Sequence, residues 1–290
     1  MKIVQAERKH AKIKMCLQGP SGSGKTYSAL LIAYGLCGSW EKIVVIDSEN
    51  GSAHLYSDFG EYRVIHLGTP FTPERYIEAI TMVEEAGDFE VIVVDSISHE
   101  WETILQEHSK MAGNSYANWA KFKPRHNAFI QKMLQTNIHL IATMRTKQDY
   151  VLTEKNGKMV PEKVGLKANQ RDDTDYEFTL SFNLDISHYA KVTKDRTSIF
   201  SYKPPFVIDV NVGRIIKDWC ETGTSIKEVK QQIKDCMNLK ELREIYKKYH
   251  IFKEPLNDLF MLRSKQLKEL QTTDLSTLKT SQNGHSNSKS

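Results

Sequence analysis

The stretch GPSGSGKT, residues 19–26, fits the pattern G-x-x-x-x-G-K-[ST] and decides the fold. It follows the apolar segment KIKMCLQ (12–18) and opens a helical segment, 25–36, which is the context that this pattern needs. Glycines let the backbone turn tightly, so that its N–H groups and the helix N-terminus can hold anionic oxygens. The alternative is a glycine-rich loop that fits the pattern by chance. The pattern predicts that phosphates are held by eight residues: Gly19, Pro20, Ser21, Gly22, Ser23, Gly24, Lys25 and Thr26.

The same loop predicts a magnesium site. Lys25 is expected to reach the outer phosphates, and the Thr26 hydroxyl to bind Mg²⁺. Such a site usually takes a carboxylate from the end of a neighbouring strand, and Asp95, which ends VIVVD, fits that position. Asp95 could instead cap the helix that follows it.

Hydrolysis also needs a group that orients or deprotonates water, and two carboxylates are candidates. Glu49 lies just past the apolar strand EKIVVID (41–47), where the nucleotide edge of the sheet is expected. Glu100 lies five residues past Asp95, inside a predicted helix. We favour Glu49, whose alternative reading is a solvated loop carboxylate.

Apolar strands alternate with helical segments as far as residue 144. This order predicts an α/β fold with a mostly parallel sheet covered on both faces. After Arg145 the pattern changes: Asn156-Gly157 is a strong hairpin signal, and 166–175 is polar and expected to be mobile. The segments 176–185 and 188–194 are predicted to pair as late antiparallel strands.

Composition and length set the domain organisation. The 290 residues are 40% hydrophobic and 26% charged, which is ordinary for a soluble globular chain. The prediction is a core over 1–223, three short helices over 224–271 and a disordered tail over 272–290. The helical part holds eleven Lys or Arg against seven Asp or Glu, which favours equally a solvated surface and a nucleic-acid backbone contact.

The ends and the cysteines suggest a location. No apolar run reaches the roughly 18 residues of a membrane-spanning helix, and the first residues lack the features of a secretory signal. The four cysteines are scattered, as buried thiols in a reducing compartment are. We therefore expect a cytoplasmic protein without a membrane partner.

Three stretches resemble the RecA family: VVIDSENG (44–51), VIVVDSIS (91–98) and the late strands that end in KVTKDRT (191–197). The resemblance implies a RecA-like ATPase with ATP and Mg²⁺ as cofactors and Glu49 as the catalytic carboxylate. It also implies that Lys194 and Arg196, at the positions of two RecA lysines, reach the γ-phosphate of ATP held by the next copy in a ring or filament. The alternative is a cation pair at the sheet surface that meets only solvent or acidic side chains.

A narrower resemblance is to short RecA-like ATPases encoded by phages and implicated in single-strand annealing. It is carried by DSISHEWE (95–102), ATMRTKQDY (142–150) and VTKDRT (192–197), together with the stretch over 163–178. The resemblance to RecA itself implies that Arg145, or else Gln148, senses the γ-phosphate, and that loops near 110–119 and 146–174 bind single-stranded DNA. The candidate DNA contacts are Tyr116, Trp119, Lys121, Lys123, Lys163, Lys167 and Arg171. Packing at a helix start explains the aromatic residues equally well, and a solvated hairpin explains the lysines.

These patterns give one leading hypothesis and two alternatives. The leading one is a DNA-stimulated ATPase that promotes annealing or strand exchange in phage recombination, with a single-strand-binding protein as a further candidate partner. The alternatives are a nucleotide switch that barely hydrolyses ATP and a hexameric helicase-like motor.

Overall fold

The computed structural model describes residues 11–155, 158–172, 174–201, 203–222, 226–249 and 256–270, with only the backbone described for 148–166, 222, 226 and 227. The described residues divide into two compact units, one up to Glu221 and one from Thr222 onward. The predicted tail, 272–290, lies outside the described residues.

The larger unit alternates strands and helices. Its strands are β1 (Lys14–Gly19), β2 (Ile43–Asp47), β3 (Arg63–His66), β4 (Val91–Asp95), β5 (His139–Lys155), β6 (Lys158–Ala168), β7 (Leu180–Leu184), β8 (Tyr189–Asp195) and β9 (Phe206–Val207). Its helices are α1 (Lys25–Cys37), α2 (Pro73–Ala86), α3 (Ser98–Ser109), α4 (Ser115–Gln135), α5 (Thr174–Glu177) and α6 (Val210–Thr222), with 3₁₀ turns at Trp40–Lys42 and Ser52–Phe59.

The strands form one sheet in the order β3-β2-β4-β5-β1-β7-β8-β9, with β6 paired to β5. The pairs from β3 to β7 are parallel, whereas β7–β8, β8–β9 and β5–β6 are antiparallel. The predicted α/β fold with late antiparallel strands is therefore confirmed. Because parallel strands end at the same edge, Gly19, Asp47 and Asp95 lie together there.

Both faces of the sheet are buried. In β2, Ile43 and Val45 pack into one apolar cluster, whereas Val44 and Ile46 pack into the other. Successive side chains of a strand point to opposite faces, so a strand covered on both sides is mostly apolar; in β1, which also holds the buried polar residues Lys14 and Gln18, the Lys14 ammonium donates to the Thr136 carbonyl. This is why the apolar runs in the sequence were continuous and predicted a parallel sheet.

Two local predictions after β6 were wrong. The segment 176–185 is not one strand: Thr174–Glu177 is a short helix and β7 begins at Leu180. The polar stretch over 166–175 begins inside β6, and Gln170 is buried with its side-chain amide donating to the Ile97 carbonyl at 2.9 Å. A polar side chain that finds a buried partner far along the chain cannot be distinguished locally from a solvated one.

The predicted hairpin is partly visible. β5 and β6 pair antiparallel as far as Lys155 opposite Lys158. The tip of the hairpin, Asn156-Gly157, lies outside the described residues.

The described part of the second unit is helical. It contains α7 (Ile226–Asp235), α8 (Leu239–Lys248) and a helix over 256–270. Asn238 caps α8: its side chain accepts from the Glu241 N–H at 2.9 Å, and the Glu241 carboxylate accepts from the Met237 N–H. Within the described parts of the chain, no helix is both long enough and apolar enough to span a bilayer.

Helices α1 and α6 touch through two glycines. A Cβ on Gly213 would come within 2.2 Å of the Ile32 carbonyl oxygen and 2.7 Å of the Gly35 Cα. Both neighbours are backbone atoms, which cannot move aside as a flexible side chain would. The pair therefore fixes how closely α6 covers α1.

We expect Gly213→Ala to lower the free energy of unfolding by about 3 kcal/mol, the upper end for overpacking, because the added methyl meets backbone. Urea unfolding followed by circular dichroism measures this. Gly68→Ala is the matched control, since nothing lies within 4 Å of a Cβ there, and it should change the value by about 0.5 kcal/mol or less. Equal stability of the two variants would contradict the close approach of α1 and α6.

Candidate nucleotide-binding site

The loop between β1 and α1 has the backbone that holding phosphate requires. Gly22 and Gly24 lie in the left-handed region, with φ of 79° and 82°, where other residues are strained. At Gly24 a Cβ would also lie 3.1 Å from the His188 imidazole. Both glycines therefore serve the turn that ends in the first residue of α1, Lys25.

Two side chains of this loop fit an anion. The buried Ser23 hydroxyl has no hydrogen-bond partner among the described residues. Lys25 Nζ donates to the Pro20 carbonyl oxygen at 2.8 Å, and burial lowers the pKa of Lys25 against the opposing pull of Asp95 and Glu49. A phosphate in the loop would give the hydroxyl a partner and favour the charged ammonium.

The Thr26 hydroxyl contacts the end of β4. It donates to Asp95 Oδ2 at 2.6 Å, and the Thr143 hydroxyl donates to the other carboxylate oxygen. Asp95 is 2% exposed, and burial raises its pKa although both hydroxyls oppose the shift. The residue at the N-cap of α3 is Ile97, and its side chain makes no capping hydrogen bond. Asp95 therefore contacts the phosphate loop and does not cap α3. A hydroxyl beside a desolvated carboxylate is a suitable donor set for Mg²⁺.

Glu49 lies in the same pocket and is held by two neighbours. Its Oε1 accepts from Ser96 Oγ at 2.8 Å and from Arg145 Nε at 2.7 Å, and its Oε2 accepts from Arg145 Nη2. Burial alone would raise the pKa of Glu49, but the bonds from Arg145 and Ser96 outweigh it and lower the pKa. The carboxylate is therefore ionised and able to accept a proton.

Arg145 owes its position to the sheet. It pairs in register with Gly19, so its guanidinium lies beside the start of the phosphate loop, and Glu49 raises its pKa. The side chain of Gln148, the other candidate sensor, lies outside the described residues. The role of Arg145 as a γ-phosphate sensor stays a prediction. Its ion pair with Glu49 is an observation that the sequence did not give.

The rival carboxylate Glu100 lies elsewhere. It is fully buried, and its carboxylate is 3.1 Å from His126 Nδ1 on α4. By contrast His99, at the start of α3, has Nε2 3.9 Å from Glu49 Oε1 and Nδ1 2.9 Å from Ser48 Oγ. Glu100 was a candidate because it lies only five residues after Asp95. On α3, however, the Glu100 side chain is directed toward His126, and it is the side chain of the neighbouring His99 that approaches Glu49.

The loop opens into a cavity of about 590 Å³ that also contains Glu49, Asp95 and Arg145. Sequence reasoning missed several other lining residues. They are Tyr27, which directly follows the motif, and Leu55, Tyr56, His188, Val207 and Ile208, which belong to segments without a motif.

Lys194 and Arg196 do not line this cavity in their own chain, as far as the described residues show. Lys194 Nζ donates to the Tyr176 carbonyl and lies 5.7 Å from the Tyr176 ring centre. The two cations are two residues apart in the chain; burial lowers the pKa of Lys194, and the charge of Arg196 lowers it further. Arg196 is exposed. Their predicted role needs a second copy of the chain.

The structure separates the candidate DNA contacts. Trp119, Lys123 and Arg171 line one cavity with Trp101, Phe122 and His126. Tyr116 does not line it and is 89% exposed at the start of α4. The remaining candidates are Lys121, which is exposed, Lys167, which pairs with Asp172 at 2.7 Å, and Lys163, whose side chain lies outside the described residues.

A parallel sheet with a glycine-rich phosphate loop at its carboxyl edge, completed by a carboxylate from a neighbouring strand, defines a P-loop NTPase core. The chain belongs to the AAA domain family, whose sequence model matches residues 11–206. A solved structure of a KaiC-like protein from the hyperthermophilic archaeon Pyrococcus horikoshii is similar to 66% of this chain and 80% of its own, with 14% identity and a TM-score of 0.37. No curated protein matched the sequence.

The family match confirms the predicted class, a P-loop ATPase family. The narrower expectation, a phage recombination protein, stays a prediction.

Proposed function

We propose that this chain hydrolyses ATP and couples hydrolysis to binding of single-stranded DNA, promoting annealing or strand exchange in phage recombination. The observation that carries the ATPase part is the contact of the Thr26 hydroxyl with Asp95 in the cavity that holds Glu49. The residues proposed for phosphate binding, metal binding and proton acceptance line one cavity, which supports the proposal.

The residues divide the chemistry among them. Backbone N–H groups of the loop and Lys25 bind the phosphates, for which Lys25 leaves the Pro20 carbonyl. Thr26 and Asp95 hold Mg²⁺, which when bound neutralises charge on the phosphate oxygens. Glu49 accepts a proton from the attacking water. Arg145 holds the Glu49 carboxylate and lies close enough to the loop to respond to the γ-phosphate.

A second copy of the chain would complete the pocket. Lys194 and Arg196 lie close together outside their own cavity, and Arg196 is exposed. Positive side chains that reach the γ-phosphate in trans stabilise the charge that builds up there in the transition state. ATP would therefore lie between copies in a ring or filament, and its hydrolysis would loosen that contact.

We expect ATP turnover to rise about 5-fold or more when single-stranded DNA is added, the lower end of typical couplings between two sites. Phosphate release with and without a poly-dT oligonucleotide measures this. Lys25→Ala is the control for contaminating ATPase, because it removes the cation that reaches the phosphates. A folded protein that shows no turnover in either condition would contradict the enzyme proposal.

One observation favours a second candidate, a nucleotide switch that binds ATP but hydrolyses it slowly. Both oxygens of the Glu49 carboxylate are bonded by Arg145, and Ser96 also donates to one of them. A carboxylate so occupied is a weaker proton acceptor until Arg145 moves away. The two candidates differ in whether DNA annealing needs Glu49.

A further inference from the structure

A second cavity, of about 240 Å³, lies between α3 and α4 and has aromatic walls. We name it the aromatic slot. It is lined by Trp101, Trp119, Phe122, Lys123, His126 and Arg171. Three aromatic residues and two cations meet there, and among the described lining residues there is no carboxylate.

The two indoles of the aromatic slot are partly buried and are held in place by neighbouring rings. The rings of Trp101 and Trp119 are 5.8 Å apart and nearly parallel, at 21°. His108 stacks on Trp119 with ring centres 4.2 Å apart, and Phe122 meets Trp119 edge-on. Neither tryptophan belongs to the two apolar clusters that flank the sheet. Rigid, partly exposed indoles provide stacking surface at little cost in conformational entropy.

The charge around the aromatic slot is positive. A wider cavity shares Trp101 and Arg171 with it and adds Lys147 and Lys167. Its carboxylate, Asp172, pairs with Lys167 at 2.7 Å. On α3, Glu100 is fully buried against His126 and Glu102 accepts from Asn169 Nδ2, and neither carboxylate lines these two cavities. An aromatic floor continuous with a row of cations is complementary to an unpaired base with its flanking phosphates.

We infer that the aromatic slot takes one unstacked base of single-stranded DNA. The base lies against Trp101 and Trp119, and the neighbouring phosphates lie on Lys123 and Arg171. The inference rests on the proposed function, and it makes two additions to it. It assigns Trp101, which no motif suggested, to the DNA site, and it separates Trp119 from Tyr116.

The position of the slot connects it to the nucleotide pocket. Arg171 directly follows Gln170, whose amide donates to the Ile97 carbonyl before α3. The Asn169 backbone N–H donates to the Arg145 carbonyl at 2.7 Å. Arg145 in turn holds Glu49. A bound nucleotide whose phosphate attracts Arg171 therefore also displaces the neighbouring Asn169, which is hydrogen-bonded to the backbone of Arg145.

The test measures binding of a fluorescent dT oligonucleotide by anisotropy with ATP and Mg²⁺ present. Trp119→Ala and Trp101→Ala are each expected to raise the Kd about 10- to 100-fold, the range of one lost stacking contact. Tyr116→Ala, an aromatic loss on the same helix outside the slot, should change it about 2-fold or less. Intrinsic tryptophan fluorescence of the wild type should be quenched by the oligonucleotide, and less so in Trp119→Phe.

Arg171→Ala gives a second readout that does not depend on the tryptophans. It should lower the slope of log Kd against log salt concentration by about 0.7, as for one lost phosphate contact on a single strand. Binding by the wild type together with equal affinity and an unchanged slope in all variants overturns the slot and leaves the proposed function standing. A wild type that binds no oligonucleotide overturns the DNA part of the proposed function itself.

Discussion

Replacing Lys194 and Arg196 together by alanine is expected to lower kcat for ATP by about 10³-fold or more, the range for cations that stabilise a transferring phosphoryl group. The reason is that the pair lies close together, partly exposed, and outside its own nucleotide cavity. Turnover measured at saturating ATP, above the protein concentration at which copies associate, is the readout. Lys191→Ala, on the exposed side of the same strand, is the matched control and should retain wild-type turnover.

Mixing two inactive variants tests whether the cations act between copies. A protomer with Glu49→Gln keeps its cations, and a protomer without the cations keeps Glu49. In an equal mixture, roughly a quarter of the interfaces combine an intact Glu49 with intact cations, so part of the activity should return. No recovery in a mixture that assembles normally would mean that Lys194 and Arg196 form only a surface pair. Because the Lys194 side chain also donates to the Tyr176 carbonyl, its removal takes away a contact within the fold. Thermal melting curves of the variants show whether they remain folded.

Glu49→Gln should lower kcat by about 10²- to 10⁴-fold and leave ATP binding nearly intact. Glutamine keeps the shape of the side chain but cannot accept a proton. Glu100→Gln is the matched control, since Glu100 was the rival carboxylate and lies buried against His126, and basal turnover should persist in that variant. Single-turnover hydrolysis and nucleotide-binding measurements separate the chemical step from affinity.

The ion pair with Arg145 gives Glu49 a signature in pH. Because the net pKa of Glu49 is lowered, the carboxylate stays ionised below the ordinary range of a glutamate, and the acidic fall of kcat should begin only there. Removing Arg145 leaves burial as the main effect, which raises the pKa, so in Arg145→Ala the fall should move to higher pH. An acidic limb at the same pH in both proteins would contradict the role of Glu49 as the base.

The two candidate functions are distinguished by the same variant. If Glu49→Gln abolishes turnover and DNA annealing together, hydrolysis drives the activity. If annealing survives at wild-type rates in the presence of ATP, the nucleotide acts as a switch. The hydrogen bonds from Arg145 and Ser96 to the Glu49 carboxylate favour this second outcome.

Sequence alone determined the features that a few consecutive residues encode. The phosphate loop is such a feature, because glycines at fixed spacing set the backbone and Lys25 and Thr26 follow directly. The parallel sheet is another, since strands buried on both faces are mostly apolar, as β2 and β4 are up to their final aspartates. Asp95 and Glu49 were identified because each follows such a strand, and the ends of these strands share one edge.

Only the tertiary structure decided which distant residues meet. Arg145 reaches Glu49 because β5 lies between β4 and β1 in the sheet, an order that the order of strands along the chain does not specify. The aromatic slot likewise joins Trp101, Trp119 and Arg171 from three segments. The start of the predicted strand over 176–185 is instead part of a short helix, Thr174–Glu177. Four residues are too few to show a helical periodicity in the sequence, so their conformation depends on tertiary packing. Local chemistry is written in neighbouring residues, whereas contacts across the sheet depend on how the whole chain packs.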